Sequence, residues 1–334
     1  MNKLIFKLFH WTWIFLLLSV VTILLSSCMQ NITGKVVQIP NETGKNPEAY
    51  FCPSDDCGKI FETQITSANS TVHCALYDID LKNVINSLSI KSKHADVKVV
   101  IDNSNNKNQI KGDGLRIDTD QQLMHNKFCV IDNRIVLTGS FNPTFNDNYR
   151  NNNNVVVIYS KTLANNYEDE FEELWNGEFG KGEAVKHPKF YVNGMEIENY
   201  FCPDDKCASH IIELIKNAKS SVYFMSYSFT NKEIADALIE KNGIDIKGIF
   251  DSGQSSSQYS QLKRLKDFGM DVKKDANKYK MHHKVFIIDN ETVATGSFNP
   301  TLSAEEKNDE NIVIIHGKKI AGDFLKEFDR IWPS

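Results

Sequence analysis

The sequence predicts an α/β fold built from two tandem repeats of one unit, and three observations support this. The segment 50–57 recurs at 200–207, and strand-like runs at 72–77 and 97–102 recur at corresponding places in the second half. Each half also ends in an amphipathic helix that carries Phe and Trp. Internal repetition of this kind determines the architecture. Helical patterns alternate with short β-branched runs within each half, which is typical of helices that cover a sheet.

The N-terminal segment 1–28 differs from the rest of the chain. Lys3 and Lys7 precede an apolar run, from Trp11 to Leu25, that contains no acidic residue. The run is short for a membrane-spanning helix, which needs about 20 apolar residues, and suits a signal sequence. It ends in Leu-Ser-Ser-Cys, which resembles a bacterial lipoprotein processing site, so Cys28 would be lipidated. An uncleaved anchor helix is the alternative, and either one predicts an exported protein tethered to a membrane of the cell envelope.

The remaining chain divides into four parts. Residues 29–46 are polar and turn-rich and are predicted to form a tether, and the first repeat covers 47–175. A link with glycines and charges covers 176–199, and the second repeat covers 200–334. The Asn-rich tract 142–154 has a counterpart of equal length in the second half. We therefore interpret this tract as a structural loop beside the site.

Six cysteines follow the N-terminal segment. Four of them form two close pairs at matching places in the repeats: Cys52 with Cys57, and Cys202 with Cys207. In an oxidising compartment each pair would close a small disulfide loop. A zinc site made from both pairs is the alternative, although the four-residue gaps are wider than the usual two. Cys74 and Cys129 lie inside strand-like runs and are predicted to be buried thiols.

The residues that carry chemistry recur in one order and at one spacing in both halves. They are His125, Lys127, Asp132, Ser140 and Asn142 in the first half, and His282, Lys284, Asp289, Ser297 and Asn299 in the second. Each His-x-Lys opens a strand-like run, so its two side chains point to the same side of the strand. Two imidazoles and two ammonium groups that converge would form a site for a phosphate anion. A single His-x-Lys is common by chance, but the repeated set is not.

The repeated set resembles the signature of the phospholipase D superfamily, which is His-x-Lys, four residues, Asp, six residues, Gly-Ser-x-Asn. The resemblance covers nearly everything after residue 46. It implies a mixed sheet flanked by helices in each repeat, a pseudo-twofold axis and one shared active site. Small bacterial endonucleases of the superfamily pair two chains where this chain pairs two repeats, so we expect a monomer. The resemblance also implies a two-step phosphodiester cleavage through a phosphohistidine, with no metal and no cofactor.

This mechanism gives a role to each type of side chain that recurs in the two repeats. One neutral histidine attacks phosphorus, and the other, protonated, donates a proton to the leaving oxygen. The non-bridging oxygens would be held by Lys127, Lys284, Asn142 and Asn299. Ser140 and Ser297 would support this shell by hydrogen bonding. By resemblance, Asp132 and Asp289 would brace the two halves and not touch the substrate.

The two halves differ at one informative position. Glu310 follows His282 at the place where the superfamily often keeps a carboxylate that hydrogen-bonds the histidine, and the first half has Asn153 there. A carboxylate favours the imidazolium form. We therefore predict that His282 is the general acid and that His125 is the nucleophile. A weakened first half is the alternative explanation for Asn153.

Three other histidines have no counterpart in the opposite repeat. His283 stands where the first half has Asn126, and we predict that its side chain faces outward. His73 and His210 are interpreted as structural residues.

The substrate class is less well determined by the sequence. The N-terminal segment would keep lipid at high local concentration, which favours phospholipid head groups. An exported nuclease that cleaves DNA or RNA is the alternative. It is supported by the likeness to the small endonucleases and by a basic stretch before the second motif: Lys263, Arg264, Lys266, Lys273, Lys274, Lys278 and Lys280. The net charge of −5 excludes only a general basic field. A non-catalytic, phosphate-binding surface protein is the third hypothesis.

Overall fold

The computed structural model of the chain describes residues 39–106, 110–241 and 243–332. The predicted signal or anchor segment 1–28, with Cys28, and most of the predicted tether lie outside these residues. Among the helices of the described part, none is long and apolar enough to cross a membrane.

The first repeat folds into a seven-stranded sheet that mixes parallel and antiparallel pairs. After a two-residue strand, β1 (Asn41–Glu42), its strands are β2 (Glu48–Cys52), β3 (Thr71–Leu76), β4 (Asp96–Asp102), β5 (Leu115–Asp118), β6 (Lys127–Ile131), β7 (Ile135–Gly139) and β8 (Asn153–Tyr159). Its helices are α1 (Cys57–Ser67), α2 (Lys82–Lys91), α3 (Phe145–Tyr149) and α4 (Lys161–Asn176). The strands lie in the order β2-β8-β7-β6-β3-β4-β5.

The second repeat has the same plan with additions. Its strands are β9 (Lys189–Val192), β10 (Met195–Cys202), β11 (Ser221–Ser226), β12 (Asp245–Phe250), β13 (Asp271–Lys274), β14 (Lys284–Ile288), β15 (Thr292–Gly296) and β16 (Glu310–His316). Its helices are α5 (Cys207–Asn217), α6 (Lys232–Glu240), α7 (Leu262–Asp267), α8 (Leu302–Glu306) and α9 (Lys318–Ile331). The sheet runs β1-β9-β10-β16-β15-β14-β11-β12-β13, and its last seven strands repeat the order of the first sheet. The predicted α/β fold with two tandem repeats is confirmed.

Two segments that the sequence predicted to be irregular contain strands. Strand β1, inside the predicted tether, pairs in parallel with β9, and β9 lies inside the predicted link. Glu42 accepts hydrogen bonds from the backbone N–H groups of Lys161 and Thr162 at the start of α4. These helix N-terminal groups have no partner within the helix, so the carboxylate satisfies them.

Three apolar cores hold the layers together. Helices α1 and α2 cover the outer face of the first sheet, and α5 and α6 cover the outer face of the second. A central core joins residues of both repeats, including Phe128, Phe171, Val285 and Phe328. It packs the long helices α4 and α9 between the inner faces of the two sheets. The described residues from 40 to 332 consequently form one compact unit.

Strand β6 shows how this layering fixes the register of the first motif. Phe128 and Val130 belong to the central core, and Cys129 and Ile131 belong to the outer core of the first repeat. A slip of one residue would exchange these two faces. The position of Lys127 at the start of the strand is therefore set by burial on both sides.

Three disulfides are present in the described residues. Two of them join the recurring pairs, Cys52–Cys57 and Cys202–Cys207. Each of these ties the end of a strand to the first residue of a helix. The prediction that Cys74 and Cys129 are free buried thiols is wrong, because they are bonded to each other with Cα atoms 4.1 Å apart. They face each other in the antiparallel pairing of β3 with β6, a register that sequence spacing does not reveal.

His73 and His210 are held by contacts away from the motifs. His73 lies between Glu168 and Asp96, with Nδ1 2.7 Å and Nε2 3.4 Å from their carboxylates. His210 stacks on Tyr200 and bonds to a backbone carbonyl.

Candidate active site

Both His-x-Lys motifs meet at one pocket between the two repeats. The pocket has a volume of about 840 Å³. His125 and Asn142 line it from the first repeat, and His282 and Asn299 line it from the second. The structure therefore brings together the two imidazoles and the two amides that the sequence singled out.

Each motif is anchored at its start to the opposite repeat. The backbone N–H of His125 donates to the carbonyl of Asp309 at 3.0 Å, and that of His282 donates to the carbonyl of Asn152 at 2.8 Å. These bonds belong to two short parallel bridges, Met124 with Asp309 and Met281 with Asn152. The arrangement gives the site its pseudo-twofold character.

A reciprocal network of hydrogen bonds continues this contact beneath the pocket. Thr138 Oγ1 donates to Asn311 Oδ1 at 2.7 Å, and Thr295 Oγ1 donates to Asn154 Oδ1 at 2.9 Å. Each threonine directly precedes its Gly-Ser, and each asparagine is the second residue of the next strand, β8 or β16, of the other repeat. These polar groups are buried, so the bonds specify how the two sheets meet.

The prediction that His283 faces outward is wrong. Its side chain is fully buried, with Nδ1 3.0 Å from Asn154 Nδ2 and Nε2 3.1 Å from Glu327. Asn126 fills the corresponding place in the first repeat, where it accepts from Asn311 at 2.6 Å. The residue after each motif histidine is therefore part of the interface between the repeats.

The partners of the two histidines are crossed between the repeats. His125 Nδ1 lies 2.8 Å from both carboxylate oxygens of Glu310. His282 Nδ1 lies 2.9 Å from Asn153 Oδ1. The prediction that Glu310 supports His282 is therefore wrong. Strands β8 and β16 each present their first residue across the interface, so the carboxylate of the second repeat reaches the histidine of the first.

The two serines hold these partners in place. Ser297 Oγ donates to Glu310 at 2.6 Å, and Ser140 Oγ donates to Asn153 Oδ1 at 3.3 Å. Each hydroxyl also accepts a backbone N–H from the following strand, from Asn311 or Asn154. Both serines are fully buried, so they act on the groups that orient the histidines.

Burial and cationic neighbours favour the neutral histidines in the free pocket. Burial lowers the pKa of His125 to about 4, although the charge of Glu310 opposes this shift. Burial, together with Lys284 and Lys127, lowers the pKa of His282 well below its usual value. Glu310 therefore favours the imidazolium form of His125 and not that of His282, the opposite of the arrangement predicted from the sequence. An anionic phosphate in the pocket would raise both values.

The two motif lysines are buried beside their own histidines. Lys127 Nζ donates to the carbonyl of His125 at 2.6 Å, and Lys284 Nζ donates to the carbonyl of His282 at 2.7 Å. Burial lowers the pKa of Lys127 to about 8. Burial and the nearby charge of Lys127 lower the pKa of Lys284 well below its usual range.

Tyr77 and Tyr227 are a further pair of equivalent residues at the pocket, and the sequence analysis did not identify them as site residues. Each packs edge-on against a motif histidine, Tyr77 on His125 and Tyr227 on His282, with ring centroids 4.7 Å apart in both cases. Both tyrosines line the pocket, and each directly follows a matching strand, β3 or β11. Their recurrence after these strands is the sequence feature that could have identified them.

Asn142 and Asn299 present buried amide oxygens. The Oδ1 atoms of both have no hydrogen-bond partner among the described residues. Asn142 Nδ2 donates to Asp147 Oδ2 at 2.8 Å. Because an amide oxygen only accepts, a water or a ligand hydroxyl would complete these hydrogen bonds, and a charged phosphate oxygen would not.

Asp132 and Asp289 lie outside the pocket and do not brace one repeat against the other. Asp132 accepts backbone N–H groups of Asn69, Ser70 and Thr71, at 2.8, 2.7 and 3.0 Å. Asp289 accepts the corresponding groups of its own repeat. Each aspartate therefore fixes the turn that precedes β3 or β11 of its own sheet.

Replacing Asp132 by alanine is expected to lower the free energy of unfolding by about 1–2 kcal/mol and to leave kcat unchanged. Partial burial favours a higher pKa, but hydrogen bonds from Asn69, Thr71 and Ser70 outweigh it and lower the pKa of Asp132 to about 2, from 3.8. Because the folded-state pKa is the lower one, this stabilisation is complete above pH 3.8 and is lost as the pH falls through about 2. Urea denaturation at several pH values measures it, and a large fall in kcat with unchanged stability would contradict this role.

Most of the predicted basic stretch lies away from the pocket. Lys278 and Lys280 line the pocket. Lys263 pairs with Asp267 at 2.5 Å, and Arg264 pairs with Asp236. The basic path that a nucleic-acid backbone would follow is therefore shorter than the sequence suggested.

Comparison with known proteins places both repeats in one family. The family model described as "Cardiolipin synthase, PLD-like domain" matches residues 61–175 and 211–332. A phospholipase D of Rickettsia prowazekii is 32% identical over 139 residues, which cover 41% of this chain and 68% of that protein. A mitochondrial cardiolipin hydrolase of Chlamydomonas reinhardtii is 29% identical over 167 residues, which cover 42% of this chain and 75% of that protein.

Solved structures also match both repeats together. The crystal structure of phosphatidylserine synthase from Haemophilus influenzae Rd KW20 aligns with a TM-score of 0.64 and 14% sequence identity. The alignment covers 85% of this chain and 86% of that chain. At this identity the likeness concerns the fold alone.

Proposed function

This chain belongs to the phospholipase D superfamily of phosphodiester hydrolases, and on that premise we propose that it cleaves phospholipids through a covalent phosphohistidine. The observation that carries the proposal is the convergence of His125 and His282 on one pocket, each with a buried lysine beside it. A neutral imidazole is a competent nucleophile, and a second imidazole can move the proton that the reaction requires.

In the first step, neutral His125 attacks phosphorus through Nε2. The N–P bond forms, the bond from phosphorus to the leaving oxygen breaks, and the proton of His282 Nε2 passes to that oxygen. Lys127 and Lys284 stabilise the charge that develops on the non-bridging oxygens. This electrostatic stabilisation is stronger in a site shielded from water.

In the second step, neutral His282 accepts a proton from water as the water oxygen attacks phosphorus. The N–P bond breaks, and its electron pair returns to Nε2 of His125. The products are a phosphate monoester, still bound in the pocket, and an unmodified His125, and the proton taken from water is on His282.

Glu310 supports His125 as the nucleophile. A histidine phosphorylated at Nε2 and protonated at Nδ1 is cationic, and Glu310 lies 2.8 Å from that Nδ1. His282 has an amide partner, so its imidazolium form is less stabilised and is the stronger proton donor. The roles are those predicted from the sequence, but the reason is different.

The rim of the pocket supports a lipid substrate. Phe145 and Leu302 stand at equivalent first positions of α3 and α8, next to the pocket-lining residues Thr144 and Thr301, and are 49% and 61% exposed. Tyr279 lines the pocket, the ring of Tyr149 packs on that of Phe145, and the Arg150 guanidinium lies 5.0 Å from the Phe145 ring centroid. Exposed apolar side chains with cations beside them are typical of surfaces that enter the lipid interface. An aliphatic Leu302 favours lipid over nucleic acid, whose bases stack on aromatic rings.

The substrate class is tested with purified residues 29–334 in the presence of EDTA. We expect release of head groups from vesicles that contain phosphatidylglycerol or cardiolipin, and no cleavage of single- or double-stranded nucleic acid. Because every proposed step uses protein side chains, EDTA should leave the rate unchanged. Cleavage of nucleic acid alone would favour the nuclease, and phosphate binding without turnover would favour the non-catalytic protein.

The double substitution Phe145→Ser and Leu302→Ser is expected to weaken vesicle binding roughly ten- to thirtyfold. Each side chain that enters the interface contributes about 1 kcal/mol after partial burial, and about 1.4 kcal/mol corresponds to a factor of ten. Cosedimentation with vesicles measures binding, and a soluble short-chain phosphodiester measures catalysis, which should not change. Phe268→Ser is the matched control, because Phe268 is 63% exposed and, unlike Phe145 and Leu302, does not stand next to a residue that lines the pocket. An equal loss in the control variant would contradict the lipid-facing rim.

We also propose that the enzyme is exported, tethered to a membrane and active as a monomer. Three disulfides are typical of an oxidising compartment. One chain supplies both histidines of the pocket, so a second copy is not required for the site.

A further inference from the structure

We propose that Asp147, which is not part of the superfamily signature, is the positioning carboxylate for His282. The hydrogen-bond partner of His282, Asn153, carries no charge. Asp147 Oδ2 lies 3.6 Å from His282 Nδ1. Asp147 lines the same pocket and is only 4% exposed. This inference rests on the proposed function, because it concerns the histidine that protonates the leaving group.

Local hydrogen bonds aim the Asp147 carboxylate at this place. Its Oδ2 accepts from the backbone N–H of Asn142 at 2.9 Å and from Asn142 Nδ2 at 2.8 Å. Its Oδ1 accepts from Asn151 Nδ2 at 2.6 Å. Thr144 caps α3 through the backbone N–H of Asp147 at 3.2 Å. The side chain is therefore held between Asn142 and His282.

The two repeats differ in a complementary way around this carboxylate. The position equivalent to Asp147 in the second repeat is Ala304, on the matching helix α8. The position equivalent to Glu310 in the first repeat is Asn153. Each repeat thus contributes one carboxylate, from a strand in one case and from a short helix in the other, and each carboxylate reaches the histidine of the opposite repeat. This relocation explains Asn153 without a weakened first half.

The charges around His282 show why a carboxylate matters there. Lys284, Lys127 and Lys280 act on its imidazole as positive charges, and so does His125 when it is protonated. Two groups that contact the imidazole, the amide of Asn153 and the ring of Tyr227, are neutral. Among these groups Asp147 is the one that favours the imidazolium form, and an opposite charge this close shifts such an equilibrium by about one to three pH units.

The variant Asp147→Asn tests this role because it removes the charge and keeps the size. The general acid must be protonated, so kcat falls at high pH as His282 loses its proton; this fall is the basic limb of the pH profile. Without the Asp147 charge, His282 loses its proton more easily, and the basic limb moves to lower pH. We expect a shift of about one pH unit and a roughly tenfold lower kcat at pH 8 for an alkyl leaving group. An ester with a p-nitrophenol leaving group needs no proton donor, so its first step should change less than twofold.

Two further variants separate positioning from structural support. In Asp147→Asn with Asn153→Asp, the new carboxylate replaces the lost one at His282 Nδ1, so the basic limb should return to higher pH. Glu305→Gln is the matched control, because Glu305 lies on α8 but accepts from the backbone of Ala208 at 2.8 Å, away from the histidines. The control should leave the basic limb in place.

An unshifted basic limb in Asp147→Asn, or an equal loss for alkyl and p-nitrophenol leaving groups, would overturn the inference. Failure of the double variant to restore the limb, with both proteins folded by circular dichroism, would also overturn it. Phosphoenzyme formation from the p-nitrophenol ester, measured in the same preparations, reports separately on the proposed function. If a phosphoenzyme forms but the basic limb of Asp147→Asn does not shift, only the role of Asp147 is rejected. If the wild-type enzyme forms no phosphoenzyme, both the role of Asp147 and the proposed function are rejected.

Discussion

Replacing His125 by asparagine is expected to lower kcat on the order of 10⁵-fold, because the reaction then has no nucleophile. Asparagine keeps the approximate size of the ring, and Glu310 retains a donor from the amide. Turnover is measured by head-group release from vesicles and by release of p-nitrophenol. The loss should be the same for both, since an activated leaving group does not replace a nucleophile.

His282→Asn should behave differently. It is expected to lower kcat on the order of 10⁴-fold for an alkyl leaving group and much less for the first step with p-nitrophenol, because only the proton donor has been removed. His210→Asn is the matched control, since His210 stacks on Tyr200 outside the pocket and its variant should retain activity. Full activity of His125→Asn would contradict the proposed chemistry.

Replacing Lys127 by methionine is expected to lower kcat/KM about 10²- to 10³-fold, because it removes a buried donor to the charged oxygens of the transition state. Burial lowers the pKa of Lys127 to about 8 in the free enzyme. Because the charged form is required, titration of Lys127 should add a second fall in kcat/KM as the pH rises through about 8, beyond the fall that deprotonation of His282 causes. In Lys127→Arg this second fall should disappear, since a guanidinium stays charged at these pH values.

The control for this series is Lys263→Met, which removes an exposed lysine paired with Asp267 on α7. It should leave kcat/KM and its pH dependence unchanged. A second fall near pH 8 that persists unaltered in Lys127→Arg would contradict its assignment to Lys127.

The repeats and the motif residues could be predicted because they recur along the chain. His125 and His282 stand at one spacing from their lysines and asparagines, and periodic burial places each set at the start of a strand. The same repetition pointed to the disulfide pairs next to α1 and α5. Features of this kind depend only on the order and spacing of residues along the chain, which can be read directly from the sequence.

The partners of the two histidines, each of which comes from the opposite repeat, could not be predicted from the order of residues along the chain. Glu310 reaches His125 because the first residues of β8 and β16 face the opposite repeat, and no local pattern shows this. The disulfide between Cys74 and Cys129 depends on the register between β3 and β6 in the same way. His283 is buried because the second sheet meets Asn154 of the first repeat, a contact far away in the sequence.

Asp147 is an intermediate case. It is the one acidic residue in the Asn-rich tract 142–154, and the matching loop of the second repeat has Ala304 in its place. A comparison of the two repeats position by position would therefore have singled it out. Its distance from His282 still required the fold, because α3 and the second motif belong to different repeats.

Rapid acid-free quenching of the wild-type enzyme with a ³²P-labelled p-nitrophenyl phosphodiester tests the central claim most directly. The account predicts one phosphoryl group per chain, stable in base and labile in acid, on the peptide that contains His125. Label on the peptide that contains His282, or turnover without any labelled chain, would contradict it.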